Sequence, residues 1–258
     1  MSTLYLYCLL LVCLLSNVIS ESTKTCEPSS NHIIEKLDAV DIAKKLIQEH
    51  DSGSWLQIGA NSMDEKFAIQ NPIMLTLDAV PHWLKYFIEP IPYVYEKLVK
   101  NAAKWPNVTT VHSALSGNGG YFEGLEQMYC IEGYERHTHN DADQVCSFDK
   151  KHVIKHFPDA KVTQVDVASM SVSVLLAMYD IHDIRIMVID TEGFDAKVIQ
   201  ALPFGIIRPP FIIYEHVHLH PDERRAADEY LMKHCYSLYN DQNENTYALH
   251  EDYLKFLK

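Results

Sequence analysis

Short runs of continuous apolar residues alternate along this chain with stretches whose apolar positions fall three and four apart. Ile33, Ile34, Leu37, Val40, Leu46 and Ile47 keep helical spacing, with Asn31 as N-cap and Asp51-Ser52-Gly53 as the stop. The run Trp55-Leu56-Gln57-Ile58 ends at Gly59-Ala60-Asn61, and Tyr86-Phe87-Ile88 ends at Glu89-Pro90. Both read as buried strands that stop at polar residues. Pro92 suits a first helical position, and Val94, Leu98, Val99 and Ala102 continue with helical spacing. Val108 to His112, Val162 to Val167, Ile184 to Ile189 and Phe211 to Tyr214 are further strands, and Val174, Leu175 and Met178 mark a helix. Tyr236 to Tyr239 and Thr246 to Leu249 form a hairpin around a polar turn.

This alternation predicts an α/β fold with a mostly parallel sheet, helices on both faces and an antiparallel C-terminal hairpin. The 258 residues, 47% hydrophobic, suit one well-cored domain. With 35 Asp+Glu against 22 Lys+Arg the net charge is -13, which opposes approach to a phosphate backbone, so nucleic acid is not expected as a partner.

Leu4 to Leu15 is almost continuously apolar, and Ser16 to Ser20 then leads into Glu21. This has the form of a secretory leader, cleaved after Ser20 and too short for a spanning helix, with an uncleaved anchor and then a buried helix as the alternatives, so the protein is expected in the secretory lumen or outside the cell with no stable membrane span after cleavage. The division read from the sequence is a leader at 1–20, a tail and helix at 21–53, and a catalytic-type domain at 54–258 carrying an insertion at 123–161. Cys26, Cys130, Cys146 and Cys235 remain after the leader, and four Cys allow three pairings. Cys130 and Cys146 bracket a polar segment that reads as a loop closed by a disulfide, which would leave Cys26 for Cys235; free thiols are the alternative. Asn107-Val108-Thr109 is a glycosylation sequon in an apparent loop.

In an open α/β sheet ligands bind beyond the carboxyl ends of the strands, and here those ends carry Gly59, Asn61, Glu89, Asp190, Glu192 and Glu215. A glycine after the first strand lets backbone approach a ligand closely, and an acid after the second can accept bonds from two ribose hydroxyls. The chain has neither a full dinucleotide fingerprint nor a Gly-x-x-x-x-Gly-Lys-Ser/Thr loop, which favours a nucleoside without a polyphosphate. Glu215-His216-Val217-His218-Leu219-His220 would place three imidazoles on one face of a continuing strand, but Pro221 favours a loop entering a helix, and no metal is assigned.

The order of motifs resembles the FkbM-type S-adenosylmethionine-dependent methyltransferases. The resemblance runs through Leu56 to Asn61, Phe87 to Pro92 with Leu98 and Asn101, Ser113 to Ser116, Ile189 to Asp195 and Phe211 to His216. It implies a Rossmann-like methyltransferase fold that uses S-adenosylmethionine. Gly59 and Asn61 would line the cofactor's amino-acid end, Glu89 would hold the ribose, and Ser113 and Ala114 would sit near the adenine. Asp190 and Glu192 would face the transferred methyl group, and Asp190, Glu192 or His216 would take a proton from the acceptor. The expected reaction is methylation of a hydroxyl on a glycan or small metabolite. Where relatives often continue with Asp-Gly this chain has Ser62-Met63, which motivates the competing reading of a secreted binding protein that keeps the fold without the activity.

Overall fold

The computed structural model describes residues 33–65, 71–117, 123–133 and 146–258. The leader, Cys26, and the loop from Arg136 to Asp143 lie outside these residues. In chain order the elements are α1 (Ala39–Glu49), β1 (Ser54–Ile58), β2 (Leu84–Ile88), α2 (Pro92–Ala102), β3 (Val108–Val111), β4 (Ala114–Ser116) and β5 (Glu123–Ile131). They continue with α3 (Lys150–His156), β6 (Val162–Ser171), α4 (Val172–Met178), β7 (Ile184–Ile189), α5 (Asp195–Gln200), β8 (Phe211–Glu215), α6 (Pro221–Lys233), β9 (Tyr236–Asn240) and β10 (Asn245–His250).

Seven strands form one sheet in the order β3-β2-β1-β7-β8-β10-β9. From β3 to β8 all neighbours are parallel, and β10 then runs antiparallel to both β8 and β9. The fold is α/β with a mostly parallel, Rossmann-like sheet and an antiparallel C-terminal hairpin. The chain builds outward from β1 through β2 to β3 and only later returns to place β7 on the other side of β1. The strand ends at Ile58 and Ile189 therefore flank the crevice where ligands bind in such sheets.

Alternation along each strand divides the core between the two faces of the sheet. Leu56, Ile58, Met187, Ile189, Ile212 and Tyr214 pack with Leu175, Val198 and Leu231 of α4, α5 and α6. Trp55, Phe87, Ile186, Val188 and Ile213 pack with Leu46 and Leu98 of α1 and α2. Burial on both sides explains why the strands read as unbroken apolar runs rather than alternating ones.

Two sequence expectations change. The first helix starts at Ala39 rather than near Ile33, because the Asp38 side chain caps it by accepting from the Asp41 amide at 3.0 Å. Ile33 instead forms a parallel bridge with Leu238, and the Ile34 amide donates to the Leu238 carbonyl at 2.7 Å. The strand at Val162 does not join the main sheet. It pairs antiparallel with β5 and parallel with β4 in a separate three-stranded sheet, so only β5 of that sheet comes from the 123–161 insertion. Cys130 and Cys146 are joined in a disulfide, and Cys235 is also disulfide-bonded. Among the described residues no helix is long and apolar enough to cross a membrane.

At the amino end of the sheet, away from the crevice, Lys85 is fully buried. Its ammonium donates to the carbonyls of Val80 at 2.7 Å, Trp83 at 3.0 Å and Pro106 at 3.2 Å, which uses all three of its protons and ties two loops to β2. Lys85→Met keeps the stem and removes the donors, so we expect it to lower stability by at least about 2 kcal/mol in urea denaturation, the cost of orphaning buried carbonyls.

Candidate functional site

The crevice begins at Gly59. Its φ is +74°, and a Cβ there would stand 1.6 Å from the Asp190 carbonyl oxygen. The glycine is thus required by the neighbouring strand end, a tighter demand than the ligand approach inferred from sequence. The amides of Gly59 and Ala60 both donate to the Ile88 carbonyl, at 3.0 and 2.9 Å, and the Asp190 amide donates to Ile58 at 2.9 Å. Three strand ends are held together before any side chain contributes.

Glu89 is buried, and its carboxylate organises the first loop. One oxygen accepts from the Asn61 amide at 3.0 Å and the other from the Ile91 amide at 2.9 Å. Each oxygen can accept a second bond, so this anchoring is compatible with a ligand hydroxyl. Asn61 has φ +50°, and the Asn101 side chain donates to the Ser62 carbonyl at 2.7 Å, which clamps the loop to α2.

Gly59, Asn61, Glu89, Ser113, Ala114, Asp190 and Glu192 all line one hollow. Its remaining walls include Ile58, Ile88, Ile91, Leu115 and Met128, so three acids from two strand ends meet an apolar slot. The Ser113 hydroxyl is turned to protein, donating to the carbonyls of Ala114 at 2.8 Å and Ala168 at 3.2 Å. The hollow measures about 70 Å³. That is narrower than the several hundred Å³ usual for a nucleoside-sized ligand. Phe148 and Phe194 line both this hollow and a second one of about 540 Å³, and their ring centroids lie 4.9 Å apart. They form part of the partition between the two, and separating them would widen the first.

Glu192 also belongs to both hollows. Its φ of +53° lies in the left-handed region, and Gly193 follows at +90°. The Ser147 hydroxyl donates to the Glu192 carbonyl at 2.8 Å, while the His152 Nε2 lies 2.9 Å from Oε2. Burial pushes the Glu192 carboxyl up and the His152 imidazole down. Both shifts favour neutral forms near pH 7, which makes this contact a hydrogen bond between neutral partners. Asp190 is raised by burial and then by the charges of Glu192, Glu244 and Glu89, and Glu215 is raised by burial and the same acidic neighbourhood.

His216 does not join this group. Alternation along the end of β8 sends Glu215 toward Glu192 and turns His216 to the other side of the strand, where its Nδ1 lies 3.0 Å from the Thr246 hydroxyl. It lines a separate hollow with Arg224 and Asp228, so the sequence assignment of His216 as a proton acceptor is corrected. The strand stops at Glu215 and His220 caps α6, as Pro221 foretold. His218 does lie beside the site, 3.6 Å from Glu215 and 3.9 Å from Glu192. Sequence reading missed His152, whose only local signal was a helix start at Asp149.

The model of the methyltransferase FkbM domain matches residues 57–257. No curated protein matches the chain. Among solved structures, precorrin-6y C5,15-methyltransferase from Geobacter metallireducens GS-15 is similar at 13% identity, over 89% of this chain and 95% of that one, with a TM-score of 0.41. The Methanococcus jannaschii fibrillarin pre-rRNA processing protein is similar at 9% identity, over 84% of this chain and 70% of that one, with a TM-score of 0.43.

Asp195 supports the loop from beneath. It is fully buried and accepts from the Thr191 hydroxyl at 2.9 Å, and burial, then the Asp190 charge, raise its carboxyl well above the usual range. The folded protein therefore holds a proton that the unfolded chain releases once pH exceeds the ordinary aspartate value of about 4, so this group's contribution falls as pH rises from there. Asp195→Asn removes that dependence. We expect the melting temperature of the variant to gain on the wild type as pH rises above about 4, and thermal denaturation over a pH series measures it.

Proposed function

This chain belongs to the FkbM methyltransferase family, and from that premise we propose that it transfers a methyl group from S-adenosylmethionine to a hydroxyl of a glycan or small metabolite in the secretory pathway. The observation that carries this reading is the position of Glu192 in the partition between two hollows, one lined by groups whose chemistry matches a nucleoside and one open to an acceptor.

The residues of the first hollow fit the cofactor chemically. Glu89 offers acceptors for ribose hydroxyls, the apolar walls near Ser113 and Ala114 suit an adenine, and Asp190 and Glu192 favour a cationic group at the end near Gly59 and Asn61. S-adenosylmethionine, when bound, supplies an electrophilic methyl on a positively charged sulfur with a good leaving group already in place. What remains for the protein is alignment and a destination for one proton. Glu192 faces the second hollow, and its carboxyl can take the acceptor's proton while passing its own to the neutral His152 imidazole across their 2.9 Å contact. Asp190 is held by the backbone ladder, and its raised carboxyl would be drawn toward the ionised form by a cationic group beside it. The Cys130–Cys146 disulfide supports an oxidising compartment, and exposed Asn107 is accessible for glycosylation there.

The narrowness of the first hollow favours a second reading, a secreted binding protein that keeps the fold without cofactor use. Calorimetric titration of the mature protein with S-adenosylmethionine separates the two. We expect binding, and Glu89→Gln should weaken it by about tenfold, or ~1.4 kcal/mol, through a lost ribose acceptor. Absence of binding to the wild type up to millimolar cofactor would overturn the enzyme reading, and unchanged affinity in the variant would overturn the role of Glu89.

A further inference from the structure

Three imidazoles converge at the edge of the second hollow. His152 and His156 are one turn apart on α3 and share a face of that helix, and His218 reaches them from the loop between β8 and α6. The ring centroids are 4.6 Å apart for His152 and His156, 4.5 Å for His152 and His218, and 4.9 Å for His156 and His218. One nitrogen from each ring lies within 4.8 Å of the other two. Nitrogen ligands around a tetrahedral zinc at ~2.0 Å stand about 3.3 Å apart, so small rotations of the rings would close the set.

The surroundings lack what three packed imidazoles would otherwise need. Among the described residues, His218 Nδ1 and Glu215 Oε2 are buried without a hydrogen-bond partner. Buried polar atoms are seldom left so, and an unpaired one points to a missing ligand. Carboxylates stand beside two of the rings, Glu192 at 2.9 Å from His152 and Glu215 at 3.6 Å from His218. Such outer partners orient metal-bound histidines and offset the charge of the ion. Lys155 lies close enough to act on all three rings and opposes a cation, while the Glu192 and Glu215 carboxyls beside the rings can offset it by ionising as the ion binds. His156 is exposed, which leaves a way in.

We propose that His152, His156 and His218 form a binding site for a divalent transition-metal ion of the zinc class, at the rim of the second hollow. Three protein ligands leave a fourth position open, as in zinc sites that handle substrate. Any part the ion plays in holding an acceptor oxygen rests on the methyl-transfer reading. Its binding does not.

The test uses the secreted, glycosylated full chain purified without a His tag. After equilibration with zinc chloride and gel filtration, elemental analysis should find close to one zinc per chain, and calorimetry with zinc chloride should give a single site. His156→Ala removes an exposed ring, so the metal-free variant should melt with the wild type, yet it should bind zinc at least about a hundredfold more weakly and lose the zinc-induced rise in melting temperature. Cobalt(II) in place of zinc should give visible absorption bands in the wild type that are absent from the variant. Retention below about a tenth of an equivalent, or equal zinc affinity in His156→Ala, would overturn the site. Titrating the same preparations with S-adenosylmethionine keeps the two readings apart: zinc bound without cofactor binding upholds the metal site and fails the methyltransferase, and the converse pair of results does the opposite.

Discussion

The approach of two parallel strand ends at Gly59 and Asp190 governs this molecule's chemistry. A side chain at Gly59 would occupy the place of the Asp190 carbonyl, so only a glycine with positive φ lets β1 and β7 finish at the same level. Because the Gly59 and Ala60 amides also share the Ile88 carbonyl, β2 is drawn to that level as well. The acids that follow these strands arrive together as a consequence. Burial raises the Asp190 and Glu192 carboxyls, and neighbouring acids add to it, Glu192, Glu244 and Glu89 at Asp190 and Glu244 at Glu192. The hydrophobic faces of the sheet hold them in place, since nothing in the mutual interaction of carboxylates would.

The three-stranded sheet meets this ridge of acids from the other side. The Cys130–Cys146 disulfide fixes the segment after Cys146 to β5, and Tyr129 and Ser147 exchange backbone hydrogen bonds at 2.8 and 3.0 Å. Ser147 then holds the Glu192 carbonyl, and α3, beginning three residues later, brings His152 to the Glu192 carboxyl. A covalent link in the small sheet is thereby coupled through two short steps to the orientation of one side chain in the main sheet. The same segment supplies Phe148, which packs on Phe194. Width of the first hollow and placement of Glu192 are properties of one connected unit.

Much of the main sheet was legible because its causes are local or periodic. Unbroken apolar strands, Pro92 opening a helix and the polar turn between Tyr239 and Thr246 each act within a few residues, and the polar residues ending the strands located the crevice. What escaped depends on distant partners. His152 and Glu192 are separated by 40 positions and meet only through the packing of the small sheet. Ile33 kept a helical period yet pairs with Leu238, because an available strand edge competes with a helical turn for its backbone. His216 was misassigned for a different reason: its neighbour in the motif is in the site, and alternation puts adjacent strand residues on opposite sides.

The substitution of Ser62-Met63 for the Asp-Gly of many relatives bears on whether such a loop can still serve a ligand. Met63 has φ +50°, the left-handed region that a glycine would occupy without strain. The conformation costs a residue with a side chain about 1–3 kcal/mol. Met63 is also fully buried in the cluster containing Trp55, Phe87 and Leu98. Burying a side chain of that size contributes about 1.5–3 kcal/mol, enough to offset the strain. The exchange is therefore settled beneath the loop. On its upper side the Asn61 amide still meets Glu89, and neither Ser62 nor Met63 lines the hollow. A departure that trades backbone freedom for packing on the core side leaves the ligand-facing groups where the sheet puts them.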